Sequence, residues 1–349
     1  MKFHTRKPTA LAALLLTATF AFAGCGGDDG GDSGSDSGSG SGGGALSITM
    51  LPKNLGNAYF DTSTKGAEKA AGELDADFEE VGPETGSPDA QVSYINTVAQ
   101  QGKSALIISA NDPDALCDAI DEARSADVKV VTFDADTNPD CRDLFINQAT
   151  AEGIATKQLE LISEEIGGSG EIAILSASAN ATNQNAWIAT MEDELASNPD
   201  YADIKLVDTV YGDDDDQKSF DQTEALLQNH PDLKGIISPT TVGIAAAARY
   251  LSDSEFKGKV ALTGLGTPNQ MREFVEDGTV ASFALWNPGD LGYLATYAAA
   301  ALVNGDITGK EGDTFSAGDL GDFTVGPDAT VLLGDPFKFN KDNIGDFDF

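Results

Sequence analysis

Short runs of aliphatic and β-branched residues alternate along this chain with longer stretches that carry an apolar residue every three or four positions. This alternation restricts the fold more than any other feature. Strands separated by helices pair in parallel and leave both faces of a sheet to be covered by helices. Residues 46–51, 105–109, 129–133 and 144–146 read as one set of strands, and 171–175, 204–210, 235–237, 260–263 and 281–285 as a second. Between them, 62–74 places Ala67, Ala70, Ala71 and Leu74 on one helical face. Ser87-Pro88 supplies a cap and a first-turn proline for a helix that Gly102 ends, and Asp112-Pro113 opens another. A helix over 150–166 stops at Gly167-Gly168; further helices read over 183–195, 217–228, 242–251, 269–276 and 291–303. The fold class is therefore α/β, with two lobes, each a mostly parallel sheet flanked by helices. About 300 residues are enough for two such cores. No short internal repeat is present.

The first residues have a different character. Lys2, Arg6 and Lys7 precede a short apolar run over 10–22, which reads as an export signal rather than a membrane span. Phe22-Ala23-Gly24-Cys25 resembles a lipobox with Phe in place of the usual Leu, so residues 1–24 read as a lipoprotein signal peptide and Cys25 as the lipidated residue. Residues 26–44 are almost all Gly, Ser and Asp, a composition that buries nothing and suits a flexible tether roughly 25 Å across. In an exported protein, the remaining pair, Cys117 and Cys141, predicts a disulfide contributing roughly 3 kcal/mol. No later apolar run reaches membrane-spanning length.

Charge and residue types exclude several functions. A formal charge of -36 argues against nucleic acid, whose phosphates it would repel. No cofactor is implied. His230 is the one histidine beyond the export segment and no Cys-x-x-Cys spacing exists, so no metal site is expected. The same lone histidine, with no Gly-x-Ser-x-Gly elbow, speaks against a serine hydrolase, and no motif assigns two carboxylates to glycoside cleavage. Asp213 to Asp216 lack the spacing of a calcium loop and read as a solvated turn capping the helix from Gln217. Gly167-Gly168-Ser169-Gly170 lacks the Lys-Ser/Thr ending of a phosphate loop.

In open parallel sheets, ligands sit beyond the carboxyl ends of strands. Those ends carry Lys53 and Asn54, Asn111, Asp134 and Asp136, Asn183 and Gln184, Pro239 and Thr241, and Leu285, Trp286 and Asn287. Tyr59 and Phe60 follow the first strand closely, and Trp187 lies one turn beyond Asn183, in the core or in the site. Amides, carboxylates, one lysine and an indole suit an uncharged, polyhydroxylated ligand.

The motifs PKNLGNAYF (52–60), SANDPDALC (109–117), FDADTNPDCR (133–142), ATNQNAW (181–187), GDDDDQKSF (212–220), ISPTTVGIAAAARYL (237–251), TGLGTPNQMR (263–272), FALWNPGDLGYLA (283–295) and the terminal FNKDNIGDFDF are long and specific. Over 48–349 the chain resembles the type I periplasmic-binding-protein family, in its rhamnose-binding and autoinducer-2-binding branch. Autoinducer-2 receptors carry an Asp-Gln pair where this chain has Asn183-Gln184, and Pro-Asp-Ala where it has Pro239-Thr240-Thr241. Lys53, Asp134 and Leu285-Trp286 match the autoinducer-2 receptors, while ATNQNAW, SPTTVGIAAAARYL and ALWNP look like the rhamnose-binding proteins. The resemblance implies a monomeric binding module, not an enzyme, that closes two hinged lobes on a small neutral sugar, L-rhamnose or a relative. It implies an ABC permease and its ATPase as partners, and contact with the membrane through the lipid anchor alone. The expected division is 25–45 for the lipidated Cys and tether, 46–147 plus about 287–320 for the first lobe, and 148–286 plus about 321–349 for the second.

Overall fold

Local capping signals set most of the element boundaries in the computed structural model, which describes residues 45–349. The export segment, Cys25 and nearly all of the tether lie outside the described residues. Strand β1 (Ser47–Leu51) leads to helix α1 (Ala58–Glu73), whose N-cap Asn57 accepts the Tyr59 amide; this cap starts the helix a turn earlier than the apolar face at Ala67 suggests. Strand β2 (Asp77–Glu80) was not expected: three of its four residues are acidic, and it survives as an edge strand paired on one side to β1. Helix α2 (Pro88–Gln101) runs from Ser87, whose hydroxyl accepts the Ala90 amide, to Gly102 at φ +64°. Strand β3 (Ala105–Ile108) follows. Asp112 does not open a helix; its carboxylate takes the amides of Asp114 and Ala115 and closes a turn, so α3 (Cys117–Ser125) begins later. Strands β4 (Lys129–Phe133) and β5 (Leu144–Asn147) complete this run.

The second lobe starts with α4 (Ala151–Ile166), capped by Thr150 and ended by Gly167. It continues through β6 (Gly170–Ser176), α5 (Thr182–Ser197), β7 (Ile204–Tyr211), α6 (Asp216–Asn229), β8 (Leu233–Ser238), α7 (Thr241–Ser252), β9 (Ala261–Gly264), α8 (Pro268–Glu276) and β10 (Ser282–Leu285). The chain then returns to the first lobe in α9 (Pro288–Asn304), the antiparallel pair β11 (Thr314–Ser316) and β12 (Asp322–Thr324), and β13 (Thr330–Leu332). It finishes with β14 (Phe337–Asn340) in the second lobe.

The first sheet has the order β13-β5-β4-β3-β1-β2 and is parallel throughout; the second has the order β7-β6-β8-β9, also parallel, with β10 joined to it by a bridge at Leu265 and paired antiparallel to β14. Because β13 adds beside β5, the chain belongs to the first lobe until Leu332, beyond the expected change near 320. Arg142 fixes this segment by donating to the Asp328 and Ala329 carbonyls.

Alternation within each strand splits the first lobe into two packed layers. Ile48, Met50, Ile107, Val131 and Phe133 share one apolar cluster with α9; Leu51, Leu106, Ile108 and Val130 share the other with α3. Helices α1 and α9 cross very closely. A methyl on Gly66 would overlap the Gly289 carbonyl, and one on Gly292 the Ser63 carbonyl. The first turn of α1 is thereby set against the interlobe cleft. Cys117 and Cys141 form a disulfide that ties the start of α3 to the turn after β4. No helix among the described residues is long and apolar enough to cross a membrane.

Candidate functional site

The carboxyl ends of both sheets face each other across a cleft, and the first turn of α1 closes one side of it. Together they line a partly open cavity of about 40 Å³, room for a few water-sized groups. The first lobe supplies Lys53 after β1, Asn57, Tyr59 and Phe60 around the start of α1, and Asp134 after β4. The second supplies Asn183, Gln184 and Trp187 on α5, Asp214 after β7, Pro239, Thr240 and Thr241 after β8, Leu265 after β9, and Leu285 and Trp286 at the end of β10.

Asp134 is the polar centre of the first lobe's half. Its backbone sits at φ +60°, and the Ala135 amide donates back to the Phe133 carbonyl at 2.6 Å, a tight turn that non-glycine residues seldom adopt. This turn brings the carboxylate into the cleft, 95% shielded from solvent. There Ser109 Oγ donates to Oδ2 at 2.7 Å, and Lys53 Nζ stands 3.6 Å from the same oxygen. Lys53 is itself held from behind: the Asn111 side chain donates to its carbonyl at 2.9 Å, and Gln91 donates to the Pro52 and Ser109 carbonyls. Across the cleft, Asn183 takes a bond from Lys53 Nζ at 3.3 Å and points its amide at Asp134 Oδ1 at 3.3 Å. Gln184 accepts from the Ser176 hydroxyl and the Ala177 amide, which fixes its orientation.

An aromatic wall faces these polar groups. Phe60, Tyr59, Trp286 and Trp187 meet edge to face, with successive ring centroids 5.2 to 6.1 Å apart. Trp286 Nε1 donates to the Tyr59 hydroxyl at 2.9 Å. Burial first, and the charge of Asp134 second, hold the Tyr59 phenol well above its ordinary pKa. Tyr59 thus keeps its own proton to donate into the cleft while accepting from the indole.

The cavity combines one ammonium, two carboxylates, three amides and hydroxyls with the ring faces of the aromatic wall. That set exchanges hydrogen bonds with a solute's hydroxyls and covers an apolar face. His230 is paired to Asp208 at 3.0 Å, away from the cavity, and among the described residues no three metal-binding side chains converge.

A family profile described as a periplasmic binding protein domain matches residues 48–307. The chain belongs to the periplasmic-binding-protein family. Proteins of this family bind solutes and catalyse no reaction, so this member is a binding protein and not an enzyme. It is 57% identical to a sugar ABC transporter protein from Actinomyces odontolyticus, over 87% of this chain and 98% of that one, with a TM-score of 0.73. It is 37% identical, at a TM-score of 0.84, to an ABC transporter solute binding protein from Clostridium phytofermentas with bound L-rhamnose, again over 87% and 98%. LsrB from Clostridium saccharobutylicum, in complex with AI-2, is 26% identical over 87% of this chain and all of that one, with a TM-score of 0.83.

The structure brings together Lys53, Tyr59, Phe60, Asp134, Asn183, Gln184, Pro239, Thr241, Leu285 and Trp286, all singled out in the sequence. Four other expected residues stand outside the cavity. Asp136 is held by a two-pronged bond from Arg142, with both nitrogen–oxygen distances at 2.8 Å, and so serves the first lobe's framework. Asn111 buttresses Lys53 from behind. Asn287 caps α9 by accepting the Gly289 amide. Asn54 lines the outer cleft. Asn57, Thr240 and Leu265 also line the cavity; all three sit inside the motifs quoted above but were not singled out, and Asp214 was misread. In the Asp213 to Asp216 turn, Asp215 caps α6 and Asp216 pairs with Arg249, as a solvated turn would, but Asp214 faces the cavity. Trp187 lies in both places, 96% buried and lining the cavity.

Proposed function

We propose that this periplasmic-binding-protein family member is the extracytoplasmic solute-binding component of an ABC sugar importer, and that its solute is L-rhamnose. The observation that carries the reading is the two-sidedness of the cavity. Lys53, Asp134 and Asn183 form a polar face, and the Tyr59, Phe60 and Trp286 rings an apolar one. A 6-deoxy sugar has the same division, with ring hydroxyls on one side and a methyl group on the other. The rhamnose complex of the 37% identical relative supports the choice. The sugar's hydroxyls would replace the loose contacts that Lys53, Asp134 and Asn183 make with one another. Because these residues come from both lobes, the solute favours the closed form, and closure presents a composite surface to the permease and its ATPase. Cys25, as a lipidated residue at the head of a Gly/Ser/Asp tether, would hold the protein at the outer face of the membrane.

Calorimetric titration of the purified protein with L-rhamnose tests this, with autoinducer-2, L-fucose, D-ribose and D-xylose in parallel. Micromolar or tighter binding of L-rhamnose, lost in Asp134→Ala and Trp286→Ala, is the expected result. Tight binding of another compound in the set, with none of L-rhamnose, removes the rhamnose assignment.

A further inference from the structure

The turn between β7 and α6 is built in an unusual way. Asp213 and Asp214 both adopt left-handed backbone angles, φ +55° and +51°, which ordinary residues avoid and Asp tolerates. Gly212 lies so close to Ser219 that a methyl there would overlap the Ser219 hydroxyl, so the turn is pressed onto α6. The Gly212 and Asp213 amides donate to the Ser176 and Ala177 carbonyls, at 2.9 and 2.8 Å, and hold the turn to the end of β6. Two successive left-handed residues are strained, and the surrounding structure has to sustain that strain. Here they direct one carboxylate, that of Asp214, into the cavity, while Asp213 stays exposed beside Lys218.

A second feature points the same way. Thr240 occupies the N-cap position of α7, where a hydroxyl ordinarily accepts a helix amide, yet it makes no such bond. Its hydroxyl donates to Asp214 Oδ1 instead. Asp214 also faces Lys53 and Asp134 of the opposite lobe, and burial pushes its carboxyl above the ordinary carboxylate range. Lys53 is thus the one cation between two carboxylates.

Resting on the solute-binding reading above, we infer that Asp214 is the second hydroxyl-binding carboxylate of the cleft, opposed to Asp134 so that each lobe grips the sugar through a carboxylate of its own. A ligand of this site is an uncharged polyol that can donate hydroxyl hydrogens toward both lobes. Since Asp214 reaches the solute from the second lobe, its bond forms on closure and slows release more than it speeds capture.

The test uses the full chain in mild detergent. Its two tryptophans, Trp187 and Trp286, both line the cavity, so intrinsic fluorescence reports binding and stopped-flow traces give the rates. Wild type, Asp214→Asn, Asp213→Asn and Asp134→Asn are titrated with L-rhamnose, L-fucose, D-ribose and D-xylose. Asn tolerates the left-handed angle, so Asp214→Asn changes the charge and keeps the turn, and circular dichroism checks that each variant is folded. For whichever sugar wild type binds, Asp214→Asn is expected to weaken affinity by about 10- to 100-fold, mostly through faster release. Asp213→Asn should stay within about twofold of wild type, since surface substitutions in a solvated turn cost little. Loss in Asp134→Asn with Asp214→Asn within twofold of wild type overturns this inference and leaves the importer reading standing. An Asp214 effect seen on a sugar other than L-rhamnose supports it and removes only the rhamnose assignment. If wild type binds none of the sugars, both fall.

Discussion

Glu165, on α4, offers a sharp test of how the second lobe is held together. Its Oε1 accepts the Ser282 amide at 3.1 Å and the Ser282 hydroxyl at 2.8 Å, tying α4 to the start of β10, the strand that ends in Leu285 and Trp286. Burial raises its carboxyl from 4.5 to about 7; the Ser282 bonds and Lys338 oppose the rise, and Glu164 adds to it. The folded protein therefore keeps a proton that the unfolded chain releases between about pH 4.5 and 7, and stability falls as pH rises through that window. A gap of about 2.5 pH units, at about 1.4 kcal/mol each, sets an upper figure of about 3.5 kcal/mol above pH 7. Glu165 keeps some solvent contact, which brings the expectation to about 2 kcal/mol. Glu165→Gln retains an oxygen for both Ser282 donors and removes the charge. Urea unfolding should find this variant more stable than wild type by about 2 kcal/mol at pH 8 and equal to it at pH 4.5. An equal gain at both values, or no gain at pH 8, would refute the argument that desolvation of a charge governs this junction.

Two further predictions concern the frame around the cleft. The disulfide closes a loop of 24 positions, so Cys117→Ser with Cys141→Ser should lower stability by about 3 kcal/mol and weaken sugar binding, because Cys141 anchors the turn that follows Asp134; an unfolding midpoint that reductant does not move would contradict this. Gly66→Ala should cost about 3 kcal/mol or more, since the new methyl meets the Gly289 carbonyl rather than a flexible side chain, and by moving α1 it should also weaken binding through Tyr59 and Phe60; unchanged thermal unfolding would show that the helices can separate freely.

What could be read in the sequence is what depends on near neighbours along the chain. Ser87, Gly102, Thr150 and Gly167 terminate helices by bonds within a few residues, so the signal and the structure share one dimension. The residues after each strand were legible for a related reason. A parallel sheet delivers all its carboxyl ends to one edge, and a list of strand ends is already most of a list of cavity residues. The exceptions come from competition that only the folded chain reveals. Asp136 is a strand-end carboxylate like Asp134, two positions away, but Arg142 captures it with a two-pronged bond. Edge strand β2 lacks an apolar run because it pairs on one side only, and β13 is placed by pairing with a strand nearly two hundred residues earlier, which no local pattern encodes. Asp214 is the most instructive case. Four consecutive aspartates read as a solvated turn, and three of them behave as one. The fourth is distinguished by a pair of left-handed backbone angles and by a threonine that gives up its capping role to reach it. An acid's presence in a turn is written in the sequence, whereas its direction is set by the packing of Gly212 on α6 and by the opposite lobe. Specificity in a two-lobed binding protein is therefore hardest to read where it is decided, in the side chains that meet a partner from the other half of the fold.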